Sequence, residues 1–332
     1  MSGKTRPRAN PQNQSNPQQP GLVRRSLPLS ISLVVPVYNP GPSLPALLQT
    51  LTSQRQVDEI ILVDDASTVD VREMIQTCPD TRFRFFRFEV NSGPSVARNY
   101  GIDAANGEFI ALLDADDFYL MLNLLERQRA FLLEHPDHIY VGSSFVKVKA
   151  DGDFEQTFTL AETDTEIRWE ALFSAPWLPS GCLMRRNSAR FDPKQRGCED
   201  NDFFSKLLGL GKGHNLGEIG FGYFMQGGLS SIHQSSNFIN LLRTNQQNLH
   251  AIGIEASFED ILTLRGYMSG AMCSEAAFNV TKIVFDRFKA MSFCDQLSIA
   301  KIQHSIESRR HLFNASNKSG CPYRSEINAQ MA

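Results

Sequence analysis

The sequence predicts an α/β fold with a mostly parallel sheet flanked by helices, and two observations favour it. Residues 31–37, 59–64 and 109–113 are short apolar runs with the length and branched side chains of buried strands. Segments with helical spacing of leucine or alanine separate them, and strand and helix alternate in this way to about residue 145. Such alternation is typical of βαβ units, which build parallel sheets.

The first part of this pattern defines four elements. The strand at 31–37 carries Pro36 near its end, where a missing N–H does least harm to a sheet. Leucines at helical spacing over 44–51 predict a helix with Ser43 as its N-cap. The strand at 59–64 follows, and the alternation over 82–90 predicts a third strand.

The next elements surround the most acidic segment of the chain. The run Asn-Ser-Gly-Pro-Ser at 91–95 predicts the start of a helix that carries Arg98. The strand at 109–113 comes next, and a helix is expected from about 120 to 134. Further on, a short strand is expected near 181–184.

The last part of the chain has a different pattern. A helix is expected near 202–210, directly after an acidic cluster. From about residue 240 the pattern is helical with few glycines, which predicts a C-terminal helical extension.

Composition excludes several classes of protein. The chain has 332 residues and a net charge of −3, so it lacks the basic excess of a nucleic-acid-binding protein. Its six cysteines form no C-x-x-C pair, which argues against a zinc cluster or a disulfide framework and favours a reducing compartment. No stretch approaches 18 uncharged apolar residues, and no secretory signal is visible. We therefore expect a cytoplasmic protein without a membrane span, with any membrane contact peripheral at the inner face.

Three carboxylates follow the strand at 109–113. Asp114, Asp116 and Asp117 repel one another unless a cation lies among them or their side chains face water. Hard oxygen ligands of this kind suit Mg²⁺ or Mn²⁺. A solvated turn with local capping bonds is the alternative, and the three residues alone do not decide between them.

Other acidic groups are expected near this turn. Asp64 and Asp65 end a neighbouring strand, and the ends of parallel strands meet at one sheet edge. Glu199 and Asp200 begin a third acidic group. Arg98 either balances these carboxylates in an ion pair or contacts a bound anion or heterocycle.

Four segments in order carry a resemblance to a known family. They are Ser-Leu-Val-Val-Pro-Val-Tyr-Asn at 32–39, Ile-Ile-Leu-Val-Asp-Asp-Ala-Ser at 60–67, Asn-Ser-Gly-Pro-Ser-Val-Ala-Arg-Asn-Tyr-Gly-Ile at 91–102 and Phe-Ile-Ala-Leu-Leu-Asp-Ala-Asp-Asp at 109–117. Together they closely resemble the family 2 glycosyltransferases, over about residues 30–230. The resemblance implies the GT-A fold, a nucleotide-diphospho-sugar transferase fold with a D-x-D motif.

The resemblance also implies a domain organisation. Residues 1–28, rich in Pro, Asn, Gln, Ser and Arg, are expected to form a disordered leader. Residues 29–235 would be the GT-A domain, with a nucleotide-binding half at 29–118 and an acceptor-binding half at 119–235. Residues 236–332 would be the helical C-terminal region, which would recognise the acceptor or form a homo-oligomer.

The family's donor site carries over by position. Pro36, Val37 and Tyr38 would frame the nucleoside base, and Asp65 would bond the uracil or the ribose. Arg98 would also lie against the nucleotide.

The remaining roles concern the transferred sugar. Asp114 would face the ribose and the sugar, Asp116 would bind Mn²⁺ or Mg²⁺ on the diphosphate, and Asp117 would cap a helix. Asp200 would be the general base of an inverting transfer, with Glu199 as second choice. The alternative is that one of these two acids merely caps the helix expected near 202–210.

The acceptor side is less defined. Ser180 and Gly181 are possible acceptor contacts. Many relatives carry a Tyr-Arg-x-His segment where this chain has Tyr-Phe-Met-Gln at 223–226, and His233 is a possible substitute. A Q-x-x-R-W signature of processive synthases is missing, which favours transfer of a single sugar.

The sequence therefore predicts an inverting, metal-dependent glycosyltransferase. Its donor would be a nucleotide sugar, UDP-linked, and its acceptor a saccharide, a lipid-linked sugar or a protein. A catalytically silent nucleotide-sugar-binding or scaffold subunit of the same fold is the alternative. A nucleotidyltransferase is disfavoured, because no Gly-rich triphosphate loop with Lys or Arg follows the first strand.

Overall fold

A computed structural model describes residues 29–41, 44–149, 152–195, 197–224, 234–272 and 274–316. Its nine strands form one mixed sheet in the order β3-β2-β1-β4-β8-β6-β9-β5, with β7 paired to β6. The strands are β1 Ile31–Val37, β2 Glu59–Asp64, β3 Phe83–Arg87, β4 Phe109–Leu112, β5 Phe118–Tyr119, β6 His138–Val148, β7 Phe154–Phe158, β8 Cys182–Arg185 and β9 Lys212–Phe224.

Helices lie on both faces of this sheet and after it. Those described are α1 Leu44–Thr52, α2 Val71–Gln76, α3 Pro94–Ala104, α4 Leu124–Glu134, α5 Asp164–Glu170, α6 Glu199–Leu208, α7 Gln234–Ala251, α8 Phe258–Ser269, α9 Glu275–Phe288 and α10 Gln296–Ser316. The predicted α/β architecture with a C-terminal helical extension is confirmed.

The parallel part of the sheet is the part that the sequence indicated. β1 pairs in parallel with β2 and β4, and β2 pairs in parallel with β3. β8 then joins β4 and β6 in antiparallel fashion, so β6 and β9 run in the same direction as β4. The carboxyl ends of β1, β2, β4, β6 and β9 consequently share one edge, where ligands bind in open α/β sheets.

Burial on both faces of the sheet explains why β1 is apolar over nearly its whole length. Leu33 and Val35 belong to a buried cluster on one face, and Val34 to a second cluster on the other. A strand covered on both faces has no solvent side to keep polar. Helix α3 lies so close to it that a methyl group at Gly101 would stand 2.3 Å from Val34 Cγ1. This close packing fixes α3, and with it Arg98, relative to the sheet.

The C-terminal helices share a third buried cluster with α5. Trp169 and Phe173, at the end of α5, pack among apolar side chains of α7, α8 and α9 such as Leu249 and Phe285. Burial of these large aromatic side chains is worth several kcal/mol of hydrophobic free energy, about 1.5–3 for each. The helical region is therefore joined to the sheet domain through α5.

Several predicted boundaries need correction. The helix expected from about 120 begins at Leu124, because the pairing of β5 with β9 continues through the N–H groups of Leu120 and Met121, which donate to the Gly220 carbonyl. The helix expected near 202–210 begins earlier, at Glu199. Ser43 and the 1–28 leader lie outside the described residues, as does His233. In the part of the chain that the structure describes, no helix combines the length and apolar character of a membrane span.

Candidate active site

The site begins where β1 and β2 end side by side. The Asp65 N–H donates to the Val37 carbonyl at 2.8 Å, which continues the parallel ladder past the end of β2. Val37 is only 1% exposed and its side chain belongs to the core, so only its backbone can contact a ligand. Tyr38, by contrast, is 53% exposed, and its ring is open for stacking.

Asp65 fixes the loop that starts α3. Its two carboxylate oxygens accept the N–H groups of Ser92 and Gly93, each at 2.7 Å. The side chain is buried, which strengthens such charge-assisted hydrogen bonds. Asp65 therefore sets the position of α3, and its contact with a nucleoside stays a prediction.

Asp64 has a purely structural environment. Its carboxylate is fully buried, accepts the Ser67 N–H at 2.9 Å and pairs with Arg87 at 2.6 Å. The two adjacent acids at the end of β2 thus point to different partners.

Arg98 connects Asp114, in the turn after β4, to Asp200, the predicted general base. Its Nη2 donates to both carboxylate oxygens of Asp114, at 2.8 and 2.9 Å. Its Nη1 lies 3.2 Å from Glu199 Oε1 and 3.8 Å from Asp200 Oδ1. The guanidinium also lies over the ring of Phe191, at 5.2 Å.

This arrangement resolves part of the ambiguity in the sequence. The Arg98 side chain is 7% exposed, and it pairs with carboxylates from two separate segments of the chain. Burial alone lowers the pKa of Arg98, but the charges of Asp114, Asp200 and Glu199 raise it above its ordinary value. The ion-pair interpretation is therefore confirmed, while a direct contact of Arg98 with a nucleotide stays a prediction.

The first turn of α6 presents the acid pair. Glu199 and Asp200 are its first two residues, and the N-cap position is taken by Cys198, without a side-chain capping bond. The alternative that either acid caps this helix is thus wrong, because the N-cap position precedes both. The partial positive charge at a helix N-terminus stabilises carboxylates placed there.

The two acids have different surroundings. Glu199 is 14% exposed and accepts a hydrogen bond from Arg98, whereas the Asp200 side chain is 30% exposed. Asp200 Oδ1 has no hydrogen-bond partner among the described residues. Burial and the neighbouring charge of Glu199 raise the pKa of Asp200 to about 8, against the opposing effect of Arg98. A carboxylate with a raised pKa and no firm partner suits proton transfer near neutral pH.

The turn after β4 holds three acids with different surroundings. Asp114 forms an ion pair with Arg98, and its side chain is 26% exposed. Burial and the charge of Asp114 raise the pKa of Asp116 to about 6. Burial, followed by the charges of Asp114 and Asp116, also raises the pKa of Asp117.

Asp117 does not cap a helix, contrary to the prediction. Its carboxylate accepts the Phe224 N–H at 3.0 Å, and α4 has Asn123 at its N-cap position. Asp117 therefore ties the acidic turn to the end of β9. The prediction failed because the next helix starts seven residues later, after β5.

Ser180 has a role that the sequence did not indicate. It is 2% exposed, and its Oγ accepts the Asp114 N–H at 3.0 Å. Because Ser180 is so buried, it supports the acidic turn through this hydrogen bond and is not accessible to an acceptor. The only sequence signal is a small polar residue directly before an apolar strand.

The donor set fits a divalent cation shared with a diphosphate. Within the described ranges, no three His, Cys, Asp or Glu side chains are grouped closely enough to hold a metal ion by themselves. Mg²⁺ is commonly bound by one or two carboxylates together with substrate phosphates and water. Asp116 offers such a carboxylate, and a bound cation would offset both its burial and the charge of Asp114, which together raise its pKa.

Several known proteins that are similar to this chain are named glycosyltransferases. Residues 32–190 match the model of "Glycosyl transferase family 2". An uncharacterized glycosyltransferase of Haemophilus influenzae is 39% identical over 113 residues, which is 33% of this chain and 44% of that protein. Matches to three Rickettsia relatives cover 18 to 20% of their length, so the chain spans less than half of these curated relatives.

Two solved structures have the same fold. The crystal structure of S. aureus TarS 1-349 in complex with UDP-GlcNAc covers 89% of this chain and 93% of its own, with a TM-score of 0.56 and 18% identity. The mannosyltransferase PcManGT from Pyrobaculum calidifontis, in complex with GDP-Man and Mn²⁺, covers 91% and 84%, with a TM-score of 0.52 and 18% identity. The family match covers just under half of the chain, and together with this fold and the acids at the sheet edge it shows that the chain is similar to glycosyl transferase family 2.

Proposed function

We propose that the chain is an inverting, metal-dependent glycosyltransferase that moves one sugar from a nucleotide sugar to an acceptor hydroxyl. The observation that carries this proposal is the buried Arg98, which joins Asp114 to the acid pair Glu199 and Asp200. Asp114 and Asp200 thus lie beside the same guanidinium, and we assign to them the carboxylate that faces the sugar and the carboxylate that accepts the proton.

The donor would bind along the ends of β1, β2 and β4. Pro36, the Val37 backbone and Tyr38 would frame the base, and Asp65 would accept a hydrogen bond from the base or the ribose. Arg98 and Asp114 would border the ribose and sugar. A UDP-linked donor is supported by the UDP-GlcNAc complex of TarS, although PcManGT was solved with GDP-Man.

Asp116 would hold Mn²⁺ or Mg²⁺ on the diphosphate. A divalent ion bound there neutralises the charge that develops on the departing nucleoside diphosphate. The Mn²⁺ in the PcManGT complex supports divalent metal use in this fold.

Asp200 would act as the general base. Glu199 is engaged by Arg98, so Asp200 is the acid left open for this task. As the acceptor oxygen forms its bond to the anomeric carbon, its proton passes to the Asp200 carboxylate. The bond from the anomeric carbon to the diphosphate breaks, and the nucleoside diphosphate leaves with the electron pair.

The acceptor and the location are proposed more broadly. The acceptor is a hydroxyl of a saccharide, a lipid-linked sugar or a protein, and the chain acts in the cytoplasm, with any membrane contact peripheral. The helical region after residue 236 would contact the acceptor or a second copy of the chain.

Release of nucleoside diphosphate from a panel of nucleotide sugars tests the proposed function. With Mn²⁺ or Mg²⁺ present, we expect hydrolysis or transfer for at least one UDP-sugar, and none after addition of a chelator, because the diphosphate would leave without charge compensation. Donor binding without turnover, whatever acceptors are supplied, would instead favour a silent binding or scaffold subunit.

Replacement of Asp116 should remove the metal dependence of donor binding. In Asp116→Ala, Mn²⁺ should no longer strengthen the binding of UDP measured by calorimetry, because the carboxylate that would share the ion with the diphosphate is gone. Asp137→Ala is the matched control, since this exposed carboxylate precedes β6 at the opposite end of the sheet. An Asp116 variant that still binds UDP more tightly with Mn²⁺ would contradict the metal assignment.

A further inference from the structure

The turn that leads into Glu199 and Asp200 is strained. Gly197 and Cys198 both have positive φ angles, of 86° and 53°. Cys198 is in the left-handed region, where the Cβ of an L-residue crowds a carbonyl oxygen. Such conformations persist only where the surrounding structure holds them, and they are common next to functional residues.

Two side-chain amides hold this turn. Gln195 Nε2 donates to the Cys198 carbonyl at 2.9 Å, from within the same loop. Asn240 Nδ2 donates to the Gly197 carbonyl at 3.2 Å, from helix α7. Asn240 is thus a link between the C-terminal helical region and the loop that carries the acid pair.

Helix α7 is itself firmly anchored. Asn245 is fully buried, and its Nδ2 donates to the carbonyls of Ala171 and Ser174 at 2.9 and 3.2 Å. One turn further on, Asn248 Nδ2 donates to the Ala171 carbonyl at 2.8 Å. These bonds fasten α7 to the end of α5, so Asn240 projects from a rigid support.

The helix α8 contributes to the same corner. Arg265 donates to the Phe173 carbonyl, and its guanidinium lies 5.8 Å from the ring of Phe238 on α7. Burial and then the charges of Asp200 and Glu199 raise the pKa of the Cys198 thiol to about 11, and Arg265 opposes this rise. The C-terminal helices therefore contact the turn through Asn240, and the charge of Arg265 acts on Cys198.

We infer that Asn240 is a positioning residue, which places Asp200 for proton transfer by holding the Gly197–Cys198 turn in its left-handed conformation. This rests on the proposed function in one respect, that Asp200 is the base. The helical region would then serve catalysis directly, in addition to any contact with an acceptor or a second copy.

Kinetics of the full chain test the effect on catalysis. Loss of one hydrogen bond should let the turn relax for part of the time, so Asn240→Ala should lower kcat about three- to tenfold. The donor KM should stay within about twofold, because Asn240 would act through the Gly197–Cys198 turn and not through the predicted donor residues. Gln246→Ala is the matched control on the same helix, because the Gln246 amide donates to the Ala256 carbonyl and not to the turn or to α5, and it should leave kcat within about twofold.

The reactivity of the Cys198 thiol gives a readout that needs no turnover. Site-resolved alkylation by iodoacetamide, followed by mass spectrometry, should be about three- to tenfold faster at Cys198 in Asn240→Ala, since local opening exposes the thiol. Cys78 and Cys294 in the same molecules serve as internal references and should react at unchanged rates. Asn240→Asp, which keeps the size of the side chain but removes the donor, covers the case that the alanine variant fails to fold.

The outcomes are distinct. An unchanged Cys198 rate in both Asn240 variants would overturn the inference, whether or not the enzyme is active. A faster rate with unchanged kcat would overturn the positioning role. An inactive wild type would count against the proposed function, while the alkylation rates would still decide whether Asn240 holds the turn.

Discussion

Asp200→Asn should lower turnover by at least about 10²-fold while leaving the nucleotide sugar bound with its usual affinity. The amide keeps the shape of the carboxylate but cannot take the proton of the acceptor hydroxyl. Donor affinity measured by calorimetry and kcat measured by diphosphate release separate the two effects. The roles predicted for binding the nucleoside, the diphosphate and the sugar fall on residues other than Asp200, so donor binding should change little.

The pH dependence of kcat gives a second test of Asp200 as the base. Burial and the charge of Glu199 raise the pKa of Asp200 to about 8, so the active, deprotonated form becomes more abundant as pH rises through that range. For the wild type, kcat should therefore increase with pH up to about 8 and then level off, and this limb should be missing in Asp200→Asn.

Two further variants test whether Asp200 is the base. Asp202 lies on the same turn of α6 and pairs with Lys206, so Asp202→Asn should retain turnover within about threefold. Glu199→Gln should reduce turnover less than Asp200→Asn does, because its carboxylate is engaged by Arg98. Normal turnover in Asp200→Asn would show that the base is elsewhere.

The sequence predicted the first half of the fold closely, for a physical reason. Strands β1, β2 and β4 are apolar runs bounded by polar residues, and a parallel strand buried on both faces carries that signal locally. The acids that follow β2 and β4 then share an edge as a consequence of parallel topology. Nothing beyond local pattern and topology was needed for these positions.

The contacts that assemble the site could not be predicted in the same way. Arg98 and Glu199 are 101 residues apart, and Asp117 and Phe224 are 107 residues apart. Such pairs depend on how α6 packs against the sheet and on where β9 joins it, and no local periodicity encodes that. The predicted start of α4 was wrong for a related reason, because Leu120 and Met121 donate to the Gly220 carbonyl of β9 and do not start a helix.

In the acidic turn after β4, some residues support the turn and others are presented by it. Sequence pattern gave Asp117 a cap and Ser180 an acceptor contact, yet both residues support the turn that presents Asp114 and Asp116. Burial distinguishes the supporting residues from the exposed ones, and burial is a property of the assembled fold.

Arg98→Met should destabilise the protein by about 3–5 kcal/mol, the range for removal of one partner from a buried ion pair. The methionine side chain has a similar length but no charge, so Asp114, Glu199 and Asp200 would face one another without a cation. Their mutual repulsion would also raise the pKa of Asp200 further, because Arg98 opposes that rise in the wild type. Urea unfolding of the variant and the wild type measures the loss directly.

The loss of stability in Arg98→Met should depend on pH in a definite direction. Without the guanidinium, the folded-state pKa of Asp200 would lie further above its unfolded value than in the wild type, so folding would favour its protonated form more strongly. The destabilisation relative to the wild type should therefore be largest above about pH 8 and should shrink as pH falls through about 8 and then about 6, where first Asp200 and then Asp116 become protonated. Arg127→Met removes an exposed pair with Glu218 and should cost no more than about 1 kcal/mol at any of these pH values. If Arg98→Met were as stable as this control at pH 8, the three carboxylates would not depend on Arg98, and the centre of the proposed site would have to be sought in other residues.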